Sequence, residues 1–188
     1  MSQAPTKKPA MFETEKQSAL QAISHAQFIA FAPYIFQASM ILRDSGILDI
    51  VQNARTGGIA IDDIAAKVKM SRYGIRILLE AGLGIGLVLR KDDNFMLSKA
   101  GHFFLNDQMT RVNADFMRDV CYDGAQDLKS SIEEGKPNGL RHLGDWTTIY
   151  QGLSKLPEPA KTSWFNFDHY YSDNAFPEAL PLVFAGNP

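Results

Sequence analysis

The chain has 188 residues, with 19 basic and 21 acidic side chains and a formal net charge of −2. This balance excludes a globally basic nucleic-acid or membrane-surface binder, and the length suits one domain or one domain with a tight extension. Cys121 is the only cysteine, so no disulfide can form within the chain and a reducing, cytoplasmic location is expected.

The first elements are predicted to be a disordered tail over residues 1–11 and two helices over residues 13–31 and 34–45, which meet before Pro33. No Asp, Glu, Lys or Arg occurs from Gln17 to Leu42. Scattered glutamine and serine side chains argue against a membrane span in this stretch. The pattern favours a helix pair buried against another subunit.

Five bulky residues occupy the middle of this uncharged stretch. Packing in the core of one subunit is the alternative, but the missing charges favour a seam between two subunits, because obligate interfaces resemble a domain core cut in half. We therefore predict a homodimer. The predicted interface residues are Phe28, Phe31, Tyr34, Ile35 and Phe36.

A helix-turn-helix is predicted next. Ile61 and Ile64 begin the apolar face of its first helix, with Asp62 placed to cap it. Ser71 is placed to cap the second helix, whose apolar face begins at Ile75. Two short helices joined by a tight turn form this motif.

The segment after these helices predicts a β-hairpin, since weak alternation is broken by the polar run Asp92-Asp93-Asn94 and then resumes. A helix-turn-helix followed by a hairpin is a winged helix. The predicted fold is therefore mainly α, with a winged helix-turn-helix flanked by N-terminal dimerisation helices and C-terminal linker helices. The remaining helices are predicted over residues 113–135, 147–156, 159–172 and 177–184.

Three glycines at alternate positions, Gly82, Gly84 and Gly86, follow Glu80 and resemble the nucleotide-binding turn of a methyltransferase that uses S-adenosylmethionine (SAM). Such a turn needs a strand before it and a helix after it. Here the preceding residues have helical spacing, and the polar hairpin turn follows too soon for a helix. We interpret the glycines as the end of a helix and predict no cofactor-binding residue.

A winged helix most often reads DNA with its second helix, and Arg72 and Arg76 lie near the start of that helix. From residue 61 to residue 100, however, seven basic residues face five acidic ones. Asp92 and Asp93 at the wing tip would repel phosphates. A DNA-binding transcription regulator is thus disfavoured and is kept as the alternative function.

The order of these parts carries a family resemblance. The uncharged helices lead into Ser45-Gly46-Ile47-Leu48-Asp49, the winged helix ends in Leu97-Ser98-Lys99-Ala100-Gly101, and an aromatic helix follows Ser163. This arrangement resembles the N-terminal domain of class I SAM-dependent O-methyltransferases, the dimeric small-molecule enzymes of the plant and acetylserotonin type.

The resemblance implies a dimerisation and winged-helix domain over residues 12–110 and a helical extension over residues 111–188 that leads to a SAM-binding domain. It implies that the chain alone binds no cofactor and has no catalytic residue, whereas the full-length protein uses SAM. The expected roles are subunit association and closure of one wall of the pocket for a small-molecule acceptor. An inactive partner of a full-length methyltransferase is a further alternative.

The aromatic segment near the end is the predicted wall of that pocket, because the matching helix of the family contacts the substrate. Interdomain packing is the alternative. Asp168 cannot easily orient the ring of its neighbour, since adjacent helical positions point about 100° apart, and the four histidines lack metal-ligand spacing. The candidates for the acceptor pocket are Trp164, Phe167, His169, Tyr170 and Tyr171.

Overall fold

The computed structural model describes residues 15–185, and the predicted tail of residues 1–11 lies outside them. The α-helices are α1 (Ala19–Asp44), α2 (Ile47–Asn53), α3 (Ile61–Ala65), α4 (Arg72–Ile85), α5 (Lys99–Asn106), α6 (Gln108–Phe116), α7 (Leu128–Glu134), α8 (Ile149–Gly152) and α9 (Ala160–Phe184). A π-helical turn spans Met117–Cys121, and 3₁₀ turns span Arg55–Gly57, Gly124–Asp127, Asn138–His142 and Leu153–Lys155.

The predicted winged helix is confirmed. Strands β1 (Val88–Lys91) and β2 (Asn94–Leu97) pair antiparallel, with Val88 opposite Leu97 and Lys91 opposite Asn94. Asp92 takes a left-handed φ of 54° in the two-residue turn, as tight hairpins require. The fold is mainly α, as the sequence predicted.

One apolar core closes the winged helix. It is formed by α2, α3, α4, the hairpin and the end of α1, and side chains of each element reach full burial. The fully buried side chains are Leu42, Ile47, Leu48, Val51, Ile64, Ile75, Leu79 and Val88.

Local caps explain most of the boundaries in this region. Gly46 has a left-handed φ of 79° where α1 gives way to α2, and the Ser71 hydroxyl accepts a 3.1 Å hydrogen bond from the Gly74 amide at the start of α4. The predicted cap at Asp62 is wrong. The chain enters α3 from Ala60 without a side-chain cap, because the Asp62 carboxylate is bound to Arg72.

The alternating glycines end α4 and serve its packing. A Cβ at Gly82 would lie 3.1 Å from Val88 Cγ2 and 3.2 Å from Leu42 Cδ1, so this position needs a small residue. Gly86 has a φ of 87° at the C-terminus of α4, where a left-handed glycine cap is common. The sequence interpretation of these glycines as a helix end is confirmed.

The prolines do not end the long helices, which corrects two predictions. α1 is one helix that contains Pro33, and α9 is one helix that contains Pro177 and Pro181. A proline removes one backbone hydrogen bond and crowds the preceding turn, and in α1 a capping box at Ser18 supports the segment before it. The predicted break before Pro33 and the predicted gap over residues 173–176 are therefore both wrong.

The predicted single helix over residues 113–135 is also wrong. α6 passes into the π-helical turn, then into a 3₁₀ turn, before α7 ends at Gly135 with a φ of 65°. The predicted helix over residues 147–156 is reduced to α8 and a 3₁₀ turn. These irregular segments pack beside α9, and they shape the candidate site.

Candidate functional site

The predicted dimer residues lie on α1 at two levels of burial. Phe28, Phe31 and Tyr34 are 53%, 58% and 79% exposed, so this chain alone leaves three aromatic rings in water. Ile35 and Phe36 are half-buried. Their place in a dimer interface stays a prediction.

Phe36 lies where α1 meets the segment after α6. Its ring stacks on Tyr122 with centroids 5.5 Å apart, and the Tyr122 hydroxyl donates a 3.2 Å hydrogen bond to the Pro33 carbonyl. An open apolar cavity of about 570 Å³ lies between α1 and this segment. It is lined in part by Pro33, Phe36, Met117 and Tyr122. α1 is thus anchored from Pro33 onward.

An aromatic cluster joins α6 to α9. The ring of Phe116 stacks on Phe167 at 4.2 Å and lies 5.6 Å from Trp164. Phe167 in turn lies 4.9 Å from Tyr171, which is 5.2 Å from Tyr170. The structure therefore brings four of the five predicted acceptor-pocket residues together.

His169, the fifth candidate, points away from this cluster. It is exposed, and its Nδ1 lies 3.5 Å from Asp173 on the next turn of α9. Phe116 is the residue that sequence reasoning did not place among the pocket candidates. It lies 48 to 55 positions before them in the chain, and no local pattern connects such distant residues.

A groove of about 490 Å³ borders the aromatic cluster. Its walls are almost entirely apolar. Burial raises the pKa of the Cys121 thiol in this groove, so the thiol is neutral at physiological pH and is a poor nucleophile. The residues that define the groove are Phe116, Val120, Cys121, Leu140, Leu143 and Trp164.

A buried carboxylate, Asp127, directly precedes Leu128, which lines the groove. Asp127 accepts hydrogen bonds from Arg141 at 2.6 Å and from His142 Nε2 at 3.0 Å. Beside it the backbones of Gly124 and Gly139 come close, since a Cβ at Gly139 would lie 2.7 Å from the Gly124 carbonyl oxygen. These contacts fix the 3₁₀ turns on either side of α7.

A charged network connects α1, α6 and the π-helical turn. Arg43, only 8% exposed, donates to Asp44 at 2.8 Å and also pairs with Asp115. Arg118 bonds Asp44 at 2.7 Å and Asp119 at 2.6 Å. No local sequence pattern predicts this network, because the bonds that join its two halves link residues more than seventy positions apart.

Asp119 extends the network to α9. Its carboxylate accepts a hydrogen bond of 2.5 Å from the Ser163 hydroxyl. Burial alone would raise the pKa of Asp119, but the hydrogen bonds from Arg118 and Ser163 and the nearby positive charge outweigh burial and hold the pKa below its ordinary value. The carboxylate is therefore ionised at physiological pH.

Three exposed arginines on one face of the winged helix are each paired with an acidic side chain. Arg72 pairs with Asp62, Arg76 with Glu80 at 2.7 Å, and Arg90 with Asp93 at 2.8 Å. Together they line a surface cavity of about 600 Å³. This face offers a duplex little net positive charge.

Residues 15–185 contain neither a cluster of metal ligands nor a membrane-spanning helix. Across this part of the chain, no group of three or more His, Cys, Asp or Glu side chains is arranged to hold a metal ion. None of the helices described there is long and apolar enough to cross a membrane.

Residues 23–95 match the family model of the Dimerisation2-like domain. Among solved structures, the chain is similar to the apo form of the SAM-dependent methyltransferase SibL, with a TM-score of 0.68 and 20% identity over 84% of this chain and 47% of that one. No curated protein sequence matches the chain.

Two further solved structures share the fold. RosA, the N,N-8-amino-8-demethyl-D-riboflavin dimethyltransferase of Streptomyces davawensis, gives a TM-score of 0.59 and 19% identity over 89% of this chain and 48% of that one. PhzM, a pyocyanin biosynthetic protein, gives a TM-score of 0.64 and 16% identity over 87% of this chain and 48% of that one. The chain spans about half the length of each of these proteins. The predicted resemblance to a methyltransferase dimerisation domain is confirmed by the family match together with this shared fold.

Proposed function

From the Dimerisation2-like domain at residues 23–95, we propose that this chain is the dimerisation and substrate-lid part of a SAM-dependent small-molecule methyltransferase. In this proposal the protein forms homodimers, SAM is the methyl donor of the whole protein, and the acceptor atom is an oxygen. The residues described here supply association and one wall of the acceptor pocket, and no catalytic group.

The exposed aromatic residues of α1 carry the dimerisation proposal. Between Ala19 and Phe31 nearly every side chain is exposed, including four large apolar ones besides Phe28 itself. A helix that is apolar on several sides is normally buried. The second surface that would cover Phe28, Phe31 and Tyr34 is the same helix of another copy.

The aromatic cluster supports the lid proposal. Phe116, Trp164 and Phe167 form an apolar wall beside the groove at Cys121. Such a wall excludes water and favours an apolar acceptor with few charges. Closing it over an acceptor would dehydrate the reacting atoms, which strengthens the electrostatic interactions that a methyl transfer uses.

The dimerisation proposal is tested by the mass of the chain in solution. We expect a dimer by light scattering at about 10 μM. Replacing Phe31 and Tyr34 together by Asp should raise the dimer dissociation constant by at least about 100-fold, since burying each ring stabilises by about 1.5–3 kcal/mol.

Tyr150→Asp is the matched control, because Tyr150 is as exposed as Tyr34 but lies on α8. It should leave the dimer intact. A wild-type chain that is monomeric at micromolar concentration would contradict the proposal.

The lid proposal is tested in the complete protein with SAM and a panel of small acceptors. Phe167→Ala and Trp164→Ala should raise the KM for the acceptor by at least about tenfold and leave the KM for SAM within about twofold, because only the acceptor wall changes. RosA is by name an N,N-dimethyltransferase, so amine acceptors belong beside hydroxyl acceptors in the panel. Equal effects on both KM values would argue for packing between domains instead.

A further inference from the structure

Arg118 and Asp119 lie at the point where three helices meet. They are consecutive residues of the π-helical turn, yet they reach in different directions. The Arg118 guanidinium bonds Asp44 at the end of α1, and the Asp119 carboxylate accepts from Ser163 near the start of α9. A π-helical turn adds one residue to a helix and re-aims the side chains around it.

We propose that Arg118 and Asp119 are positioning residues that couple the dimerisation helix α1 to the aromatic cluster on α9. The proposal deepens the function proposed above and rests on it for the role of α1. According to this proposal, a second copy bound to α1 changes the orientation of α9. The change is transmitted through Asp44, Arg118, Asp119 and Ser163. Self-association and the shape of the acceptor wall are then one linked equilibrium.

The burial of this network indicates that its bonds position the helices and contribute little to the stability of the fold. The Asp119 side chain and Ser163 are buried, and Arg118 is 33% exposed; ion pairs with a buried partner are often no more stable than apolar residues of the same shape. Arg43 Nη1 is moreover buried without a hydrogen-bond partner, which costs stability. The network does fix the relative orientation of the helices, because each bond links one helical segment to another.

The bonds act next to the aromatic contacts. Ser163 directly precedes Trp164, and Phe116 directly precedes the π-helical turn. The Asp119–Ser163 hydrogen bond therefore fixes the rotation of α9 one residue away from the Phe116–Trp164 contact. A small movement at Asp119 changes how these two rings meet.

The first experiment measures whether a change at α1 reaches α9, and it does so whether or not the chain dimerises. In the ¹⁵N-labelled 188-residue chain, the indole N–H resonance of Trp164 is followed by NMR. Asp44→Asn, made at the α1 end of the network, should shift this resonance. Asp62→Asn is the control, since it breaks the separate Arg72 pair, and it should not. Equal responses to both changes, or none, would overturn the coupling.

The second experiment measures the effect of the α9 end on association. Ser163→Ala removes only the bond to Asp119 and keeps the ion pairs, so the variant should fold. We expect it to weaken the dimer about fivefold or more, the usual lower range of coupling between sites. Ser172→Ala is the matched control on the same helix, because its hydroxyl bonds only the Asp168 carbonyl.

The outcomes separate the two proposals. A wild-type chain that never dimerises contradicts the proposed function, and the Trp164 resonance still decides the coupling. A normal dimer in which Ser163→Ala behaves as Ser172→Ala leaves the proposed function standing and overturns the coupling. Asp119→Asn, which keeps the shape of the side chain, should reproduce the Ser163→Ala result.

Discussion

The winged helix and the free ends of the two longest helices differ in what covers their apolar side chains. In the winged helix, Leu48, Ile64 and Leu79 are fully buried within one chain. We name residues 19–31 of α1 the N-terminal arm and residues 173–184 of α9 the C-terminal arm. In both arms nearly every residue is exposed, although each carries several large apolar side chains, among them Phe31 and Phe184.

This difference shows which part of the chain is self-sufficient. The winged helix has a closed core, and three of its exposed arginines form ion pairs within the chain. Isolated helices are only marginally stable in water, so the proposed function predicts that another surface covers the arms. Substitutions in the two regions should therefore fail in different ways, and that contrast can be tested.

The largest expected effect is in the core of the winged helix. Leu79→Ala should lower the free energy of unfolding by about 2–5 kcal/mol, because it leaves a cavity in a fully buried site. Phe31→Ala in the N-terminal arm should change the unfolding of the dilute monomer by less than about 0.5 kcal/mol. Urea unfolding below the dimer dissociation constant measures both. Similar losses would mean that the arm is packed within its own chain.

Glycines give the next largest contrast. A Cβ at Gly101 would lie 2.1 Å from the Leu87 carbonyl oxygen, whereas a Cβ at Gly84 meets nothing within 4 Å. Gly101→Ala should destabilise by about 1–3 kcal/mol or more, and Gly84→Ala should stabilise by up to about 1 kcal/mol through helix propensity. Thermal unfolding checks both. A loss at Gly84 would mean that the added methyl group meets a neighbour, so that this glycine is also needed for packing.

The winged helix was predictable because its signals are local. Gly46, Ser71 and the Asp92-Asp93 turn mark boundaries within one or two residues of where the structure has them. The caps and turns act through neighbours three or four positions away. A single sequence contains all of that information.

The segment after the wing was not predictable in the same way. Its apolar spacing suggested one helix, yet the π-helical turn at Arg118 depends on Asp44 and Ser163, which are distant in the sequence. The aromatic cluster was predicted in part, since Phe167, Tyr170 and Tyr171 share one helix, but its partner Phe116 belongs to another. Pro33 misled the prediction of the first long helix, because a proline weakens a helix without always ending it.

A smaller effect concerns pH. The pKa of Asp119 is lower in the folded chain than in the unfolded one, so its contribution to stability is present above the unfolded value of about 3.9 and is lost as the pH falls through the folded value. The wild type should therefore lose more stability than Asp119→Asn as the pH falls below about 4. Urea unfolding at several pH values measures the difference. Parallel pH profiles would show that Asp119 is not stabilised by its partners.

The smallest expected effect is on DNA binding. It tests whether the ion pairs of the winged helix prevent its arginines from binding a duplex. Wild-type protein at micromolar concentration should not shift duplex DNA, since Arg72 and Arg76 are held by Asp62 and Glu80, and a DNA reader needs a concentrated basic face. Replacing Asp62 and Glu80 by Asn and Gln leaves both arginines free and should produce weak, strongly salt-dependent binding. If the wild type itself shifts DNA and Arg72→Ala with Arg76→Ala abolishes the shift, the transcription-regulator alternative is favoured over the methyltransferase proposal. If neither protein binds, the charge pairs are not what separates this winged helix from a DNA reader, and the absence of base-reading side chains in the glycine-rich half of α4 is the remaining cause.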